Sequence, residues 1–123
     1  MKATKKDLQK LDRLQKRSDF LRLNNAEKWV SKGFILLAKP NDGGNARVGF
    51  TVTKKLEKSA VGRNRMKRRL RAVAADILPT HAKSGMDYIL IARTEAATRD
   101  YAELKKDLKW CLGKMGHAVA QAA

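Results

Sequence analysis

The chain has 123 residues, with 28 Lys or Arg against 12 Asp or Glu, a formal charge of +16 and 43% hydrophobic residues. That length and apolar content suit a single compact domain with one core and exclude both a disordered basic tail and a multidomain enzyme. The longest apolar run, Tyr88 to Ala92, is five residues where about 18 would span a bilayer; no apolar N-terminal stretch marks a signal peptide, lone Cys111 excludes an internal disulfide, and a cytoplasmic protein is expected.

In chain order, residues 2–17 are polar and basic apart from Leu8, Leu11 and Leu14, which suit one face of a short helix or an extended arm. Residues 1–12 and 116–123 are expected to be flexible ends of one domain, 1–123. Ser18 reads as a helix cap, with Phe20, Leu21, Leu23, Ala26 and, at the far end, Val30 as the apolar side of a first helix. Gly33 opens a strand, Phe34 to Lys39, that ends at Pro40 and the turn-forming run Asn41 to Asn45. The return arm, Arg47 to Thr53, places Val48, Phe50 and Val52 on one face and polar or small residues on the other, so a hairpin is expected. Ser59 caps a second helix whose Met66, Leu70, Val73, Ala74 and Ile77 fall within about 100° of arc, and Pro79 is expected to end it. Met86 to Ala92 reads as a strand buried on both faces. Tyr101, Leu104, Leu108, Cys111, Leu112 and Met115 then give a last amphipathic helix. The order is α-β-β-(β)-α-β-α, an α/β (α+β) sandwich in which a small mixed sheet packs with three helices.

The charge is not spread evenly. Residues 54–71 hold nine Lys or Arg against Glu57 alone. Like charges on adjacent helical turns repel, so a folded domain that keeps such a block is matched to a polyanion. Arg65, Lys67, Arg68, Arg69 and Arg71 lie outside the apolar stripe of the second helix, which displays them on a rigid rod. Guanidinium forks match phosphate oxygens and stack on bases, and a lysine acts as a compact charge. Asn64, between Arg63 and Arg65, suits a base edge or ribose 2′-hydroxyl, or equally a local backbone bond at a helix start. A DNA-binding helix-turn-helix is disfavoured because a strand, not a helix, precedes Arg63.

Catalytic groups are scarce. His81 and His117 lack the i, i+4 spacing of a zinc helix, Cys111 falls on an apolar stripe, and the carboxylates include no Asp-x-Asp and no Glu-x-x-His. Gly43, Gly44 and Gly49 join two strands and lack the Lys-Ser/Thr that opens a phosphate-loop helix. No catalytic residue and no metal ligand is expected in this chain.

The run Arg47-Val-Gly-Phe-Thr-Val-Thr-Lys-Lys55, followed by Ala60-Val-Gly-Arg-Asn-Arg-Met-Lys-Arg-Arg-Leu-Arg71, resembles the bacterial ribonuclease P protein component. The likeness extends through Asp19-Phe20 and Asp87 to Arg93 and covers roughly residues 13–115. The resemblance implies a left-handed β-α-β crossover, unusual among parallel connections. It also implies the protein subunit of a holoenzyme that removes the 5′ leader of precursor tRNA, with phosphodiester hydrolysis carried out by the RNA subunit and its Mg²⁺. RNA-subunit contacts are implied at Arg63, Asn64, Arg65, Lys67 and Arg68, with Arg69 and Arg71 on the same basic face. The leader is implied to lie in a cleft lined by Phe20, Thr51 and Lys54 or Lys55. Phe20 is open to two readings, a core residue or a ring stacked on a leader base. The chain departs from the family at Asn24 and Leu37, where aromatics are common, and in the loop Leu56 to Val61, one residue longer than usual and without its glycine. The competing readings are a structural RNA-binding protein such as a ribosomal protein, and a stand-alone metal-dependent nuclease.

Overall fold

The structure, a computed structural model, describes residues 11–14, 18, 20, 23, 26–41, 44–82 and 85–116. Five strands form one mixed sheet: β1 (Leu11–Arg13), β2 (Glu27–Val30), β3 (Phe34–Pro40), β4 (Ala46–Thr51) and β5 (Met86–Ala92), in spatial order β1-β4-β5-β3-β2. Two helices, α1 (Ala60–His81) and α2 (Tyr101–Lys114), and a 3₁₀ turn at Thr94–Ala97 complete the regular structure of the described residues.

β5 is the centre of the sheet. It pairs antiparallel with β3 and parallel with β4, and Asp87, Tyr88, Ile89 and Leu90 in it are all buried. An apolar strand without a polar face is stable only with neighbours on both edges and layers on both faces. The predicted hairpin between β3 and β4 therefore does not form, and β5 separates them. Asn41 and Gly44 both bond to Gly85 at the entry to β5: the Asn41 N–H donates to Gly85 O at 2.7 Å and the Gly85 N–H to Gly44 O at 2.8 Å. Skipping one strand means covering about 10 Å between β3 and β4, within reach of five residues at about 3.3 Å each.

The hairpin that does form joins β2 to β3 through Ser31–Gly33, with the Ser31 N–H and hydroxyl both donating to Phe34 O at 2.9 and 2.6 Å. Here the expected first helix is corrected. Backbone at Ser18 and Phe20 is helical, but Glu27–Val30 is a strand and Val30 is exposed. The spacing of Ala26 and Val30 fits a helix, yet Trp29 and Val30 are good strand residues, and pairing with Ile35 and Leu36 decides the matter. Gly33 lets α2 approach this hairpin, since a Cβ there would lie 2.3 Å from Leu104 Cδ2. Of the two forms open to the N-terminal segment, Leu11–Arg13 takes the extended one, as strand β1 running parallel to β4, and residues 1–10 and 117–123 of the ends expected to be flexible lie outside the described residues.

One sheet face carries Phe34, Leu36, Val48, Tyr88 and Leu90 and packs against the stripe Met66, Leu70, Val73, Ala74 and Ile77 of α1 and Leu104, Leu108, Cys111 and Leu112 of α2. On the opposite face Leu37, Ile89 and Ile91 of the sheet pack with Leu14, Phe20, Leu23 and Ala26. α1 runs on past Pro79, which was expected to end it, because a proline so near the C-terminus forfeits only the bond to residue 75, while buried Leu78 holds the last turn and accepts from the Ala82 N–H at 2.8 Å. Among the described residues no helix is long and apolar enough to cross a membrane.

Candidate nucleic-acid interface

The basic helix starts where the sequence places it. The Ser59 hydroxyl accepts from the Gly62 N–H at 3.1 Å, and the Glu57 carboxylate accepts from the Ser59 N–H at 3.2 Å. Arg63 Nη1 donates to the carbonyls of Glu57 and Lys58 at 2.9 and 2.8 Å. Arg63 thus shapes the loop that leads into the helix, which its position in an Arg-Asn-Arg motif does not reveal.

The remaining cations divide by what they touch. Arg69 is turned inward and half-buried: its Nε donates to Ala96 O at 3.0 Å and its Nη2 to Arg99 O, tying α1 to the 3₁₀ turn and the segment before α2. The sequence puts Arg69 on the rim of the exposed side, and the structure makes it a clamp. Asn64, Arg65, Arg68 and Arg71 are exposed and Lys67 half-buried. The ion pairs among the described residues are Arg47–Asp87, Arg99–Asp107, Lys105–Asp76 and Lys106–Glu103, none of which uses a cation from 54–71. Arg71 instead rests its guanidinium 5.8 Å from the centre of the Phe50 ring. The helix therefore shows solvent a set of charges that no carboxylate of the described residues neutralises.

Beside the helix runs a groove of about 380 Å³, lined by Arg13, Leu14, Phe20, Val48, Gly49, Phe50, Lys67 and Arg71. It exists because β1 pairs with β4 only as far as Val48, leaving the rest of that strand edge without a neighbour among the described residues. Phe20 closes one wall. Its ring lies against Gly49, where an added Cβ would meet Phe20 Cζ at 2.7 Å. Phe20 is half-buried against the Leu14–Leu23–Ile89 cluster and also lines the groove.

Thr51 lies two residues beyond Gly49 on the same sheet face, half-buried at the end of β4, and Lys54 and Lys55 are exposed in the turn that follows. These three do not line the groove itself. Arg13, which the sequence reading did not single out, does; it is one basic residue among many near the N-terminus, and only the β1–β4 pairing brings it beside Lys67 and Arg71. Leu37 packs on the Phe20 side of the sheet, and Asn24 lies outside the described residues.

The other titratable candidates have structural places. Cys111 is buried, and desolvation, with the Asp107 charge adding to it, pushes its thiol up to about 11. His81 sits in the last turn of α1, its ring Nδ1 3.1 Å from Ile77 O, and burial holds its pKa below the ordinary value. His117 lies outside the described residues. Among the described residues no three His, Cys, Asp or Glu side chains gather as a metal site. What the surface offers chemically is cation display, guanidinium and aromatic faces, and a groove, which suits binding a polyanionic strand.

Comparison with known proteins agrees with this chemistry. Residues 8–116 match the Ribonuclease P family. The ribonuclease P protein component of Paramagnetospirillum magneticum is 46% identical over 113 residues, covering 87% of this chain and 84% of that protein. That of Erythrobacter litoralis is 43% identical over 99 residues, covering 80% and 81%. Among solved structures, the RNase P protein from Thermotoga maritima superposes with a TM-score of 0.71 at 25% identity, covering 84% of this chain and 96% of that one. The Staphylococcus aureus RNase P protein gives 0.67 at 26% identity, covering 87% and 96%.

Proposed function

The chain belongs to the ribonuclease P protein family, and from that premise we propose how its surfaces divide the work of the holoenzyme. It is the protein component of the ribonuclease P endoribonuclease, an RNA-binding subunit that acts in tRNA processing. Its partners are the ribonuclease P RNA subunit and precursor tRNA. The RNA subunit docks on the exposed face of α1 through Asn64, Arg65, Lys67, Arg68 and Arg71, with Arg63 and Arg69 holding that face in position. The 5′ leader of the precursor takes the groove at Phe20, with Thr51, Lys54 and Lys55 continuing the path beyond the end of β4. Mg²⁺ belongs with the RNA, whose phosphate oxygens are the hard ligands the ion prefers.

The observation that carries this division is the contrast among the arginines. Arg47, Arg99, Arg63 and Arg69 are satisfied internally, whereas Arg65, Arg68 and Arg71 are exposed without a carboxylate partner among the described residues. Phosphate contacts supply most of the affinity for RNA, and such cations are the ones able to make them.

The test is reconstitution with a transcribed ribonuclease P RNA at low Mg²⁺. Adding the chain is expected to restore cleavage at the mature 5′ end of a precursor tRNA. Arg65→Ala is expected to weaken assembly with the RNA subunit. Phe20→Ala is expected to lower affinity for leader-bearing precursor, by about 1 to 3 kcal/mol if one base stacks there, and to leave mature tRNA almost unaffected. Equal losses for both RNAs would sink the leader assignment, and no stimulation at all would leave only the ribosomal-type alternative.

A further inference from the structure

On the side of α1 away from the Phe20 groove lies a second depression, of about 330 Å³, lined by Arg65, Arg68, Arg69, Ala72 and Tyr101. Sequence spacing puts Tyr101 among the core residues of the last helix. The structure leaves it half-buried at the first turn of α2, facing the basic helix across a small residue, Ala72. Its hydroxyl donates to Asp76 Oδ2 at 2.5 Å, and that bond holds the phenol up to about 12, so it stays protonated throughout the physiological range. Lys105 Nζ stands 5.3 Å from the ring centre and 4.0 Å from Asp76 Oδ2. The ring is therefore fixed at one edge by a carboxylate and set opposite two exposed arginines. Arg69 forms a rigid floor, because its guanidinium is already committed to the carbonyls of Ala96 and Arg99.

We propose that this depression receives an unpaired nucleobase of the ribonuclease P RNA subunit, stacked against Tyr101, with its flanking phosphates on Arg65 and Arg68. The inference rests on the assignment of the α1 face to the RNA subunit and extends that interface onto α2. Charge sets the direction. Arg65 and Arg68 attract phosphate at the near end, whereas at the far end the Asp76 carboxylate offsets Lys105, so the wall that Tyr101 forms is matched to the uncharged base. An aromatic face beside a row of cations is the arrangement that binds unpaired bases without regard to sequence. An acidic protein segment would be met by the arginines but would leave the aromatic face of Tyr101 unused.

Three measurements on the full chain with the transcribed RNA subunit test this. Tyr101→Leu keeps apolar bulk against the core but removes the ring. It is expected to weaken binding about fivefold or more with the slope of log K against log salt unchanged. Tyr101→Phe, which keeps the ring and loses only the bond to Asp76, is expected to stay within about twofold. A benzophenone amino acid at position 101 is expected to cross-link to the RNA subunit on irradiation. Binding of Tyr101→Leu within twofold of the parent, absence of any RNA adduct, or an adduct with precursor tRNA alone would overturn the proposal. Arg65→Ala in the same assay separates the two levels. If it weakens binding while Tyr101→Leu does not, the inference fails and the RNA-subunit face stands; if neither changes anything, both fall.

Discussion

Individual residues here are constrained by what stands opposite them more than by their own chemistry. Gly49 is the clearest case, because the ring of Phe20 and the Cβ of Leu14 occupy the space a side chain would need. Gly49→Ala is expected to displace the ring and cost about 1 to 3 kcal/mol of stability. It should also weaken leader-bearing precursor in the manner of Phe20→Ala, and a crossed measurement of denaturant midpoint and precursor affinity checks both effects. Wild-type affinity in Gly49→Ala would show that the ring position is irrelevant to the leader. Asp87 is constrained in another way. Its fully buried carboxylate receives Arg47 Nε and Nη2 at 2.8 and 2.7 Å and Asn41 Nδ2 at 2.9 Å. A charged residue in an otherwise apolar strand is thereby paired and hydrogen-bonded, the condition under which burial is tolerable. It fixes the register of β5 against β4 at one row, where Arg47 faces Asp87.

At the scale of elements, α1 is where local signals and tertiary contacts agree best. Its cap, apolar stripe and basic face follow from residue spacing, and the stripe is buried as the period demands. Arg69 shows the limit of that reading. Helical angle alone places it with the exposed basic residues, and only contact with the carbonyls of Ala96 and Arg99 reveals that it braces α1 against the segment leading into α2. Replacing it by Met is therefore expected to lower thermal stability, since two buried or half-buried carbonyl contacts are lost at about 1 kcal/mol each. The slope of log K against log salt for the RNA subunit should stay as in the parent. A slope reduced by nearly one unit would identify Arg69 as a phosphate contact instead. The first-helix expectation failed for a related reason. Glu27–Val30 is too short for its periodicity to discriminate, and pairing with β3 settles the conformation.

For the whole molecule, the net charge of +16 is a statement about association and solubility, and its distribution says where the partner lies. With Arg63 and Arg69 used internally, seven cations of the basic block remain, and four of them, Arg65, Lys67, Arg68 and Arg71, are the ones proposed to meet phosphates of the RNA subunit. Binding to the RNA subunit should then show log K falling against log salt with a slope of about −3 to −4. A slope near −1 would contradict the mapping of this surface. The two grooves flank α1 on opposite sides, so the helix divides one basic surface into a side facing Phe20 and a side facing Tyr101.

The amino-acid sequence by itself determined the family, the basic helix with its buried stripe and Ser59 cap, the apolar central strand and the poverty of catalytic groups. Each of these is written in residue types or in short-range spacing, and the physics that reads them is local. Only the tertiary structure decided that β5 parts β3 from β4, that Glu27–Val30 is a strand, which arginines are spent on carbonyls, and that Arg13 and Tyr101 border the basic face. Those outcomes depend on pairings between residues far apart in the chain, where hydrogen-bond satisfaction and burial choose among arrangements that periodicity leaves equivalent.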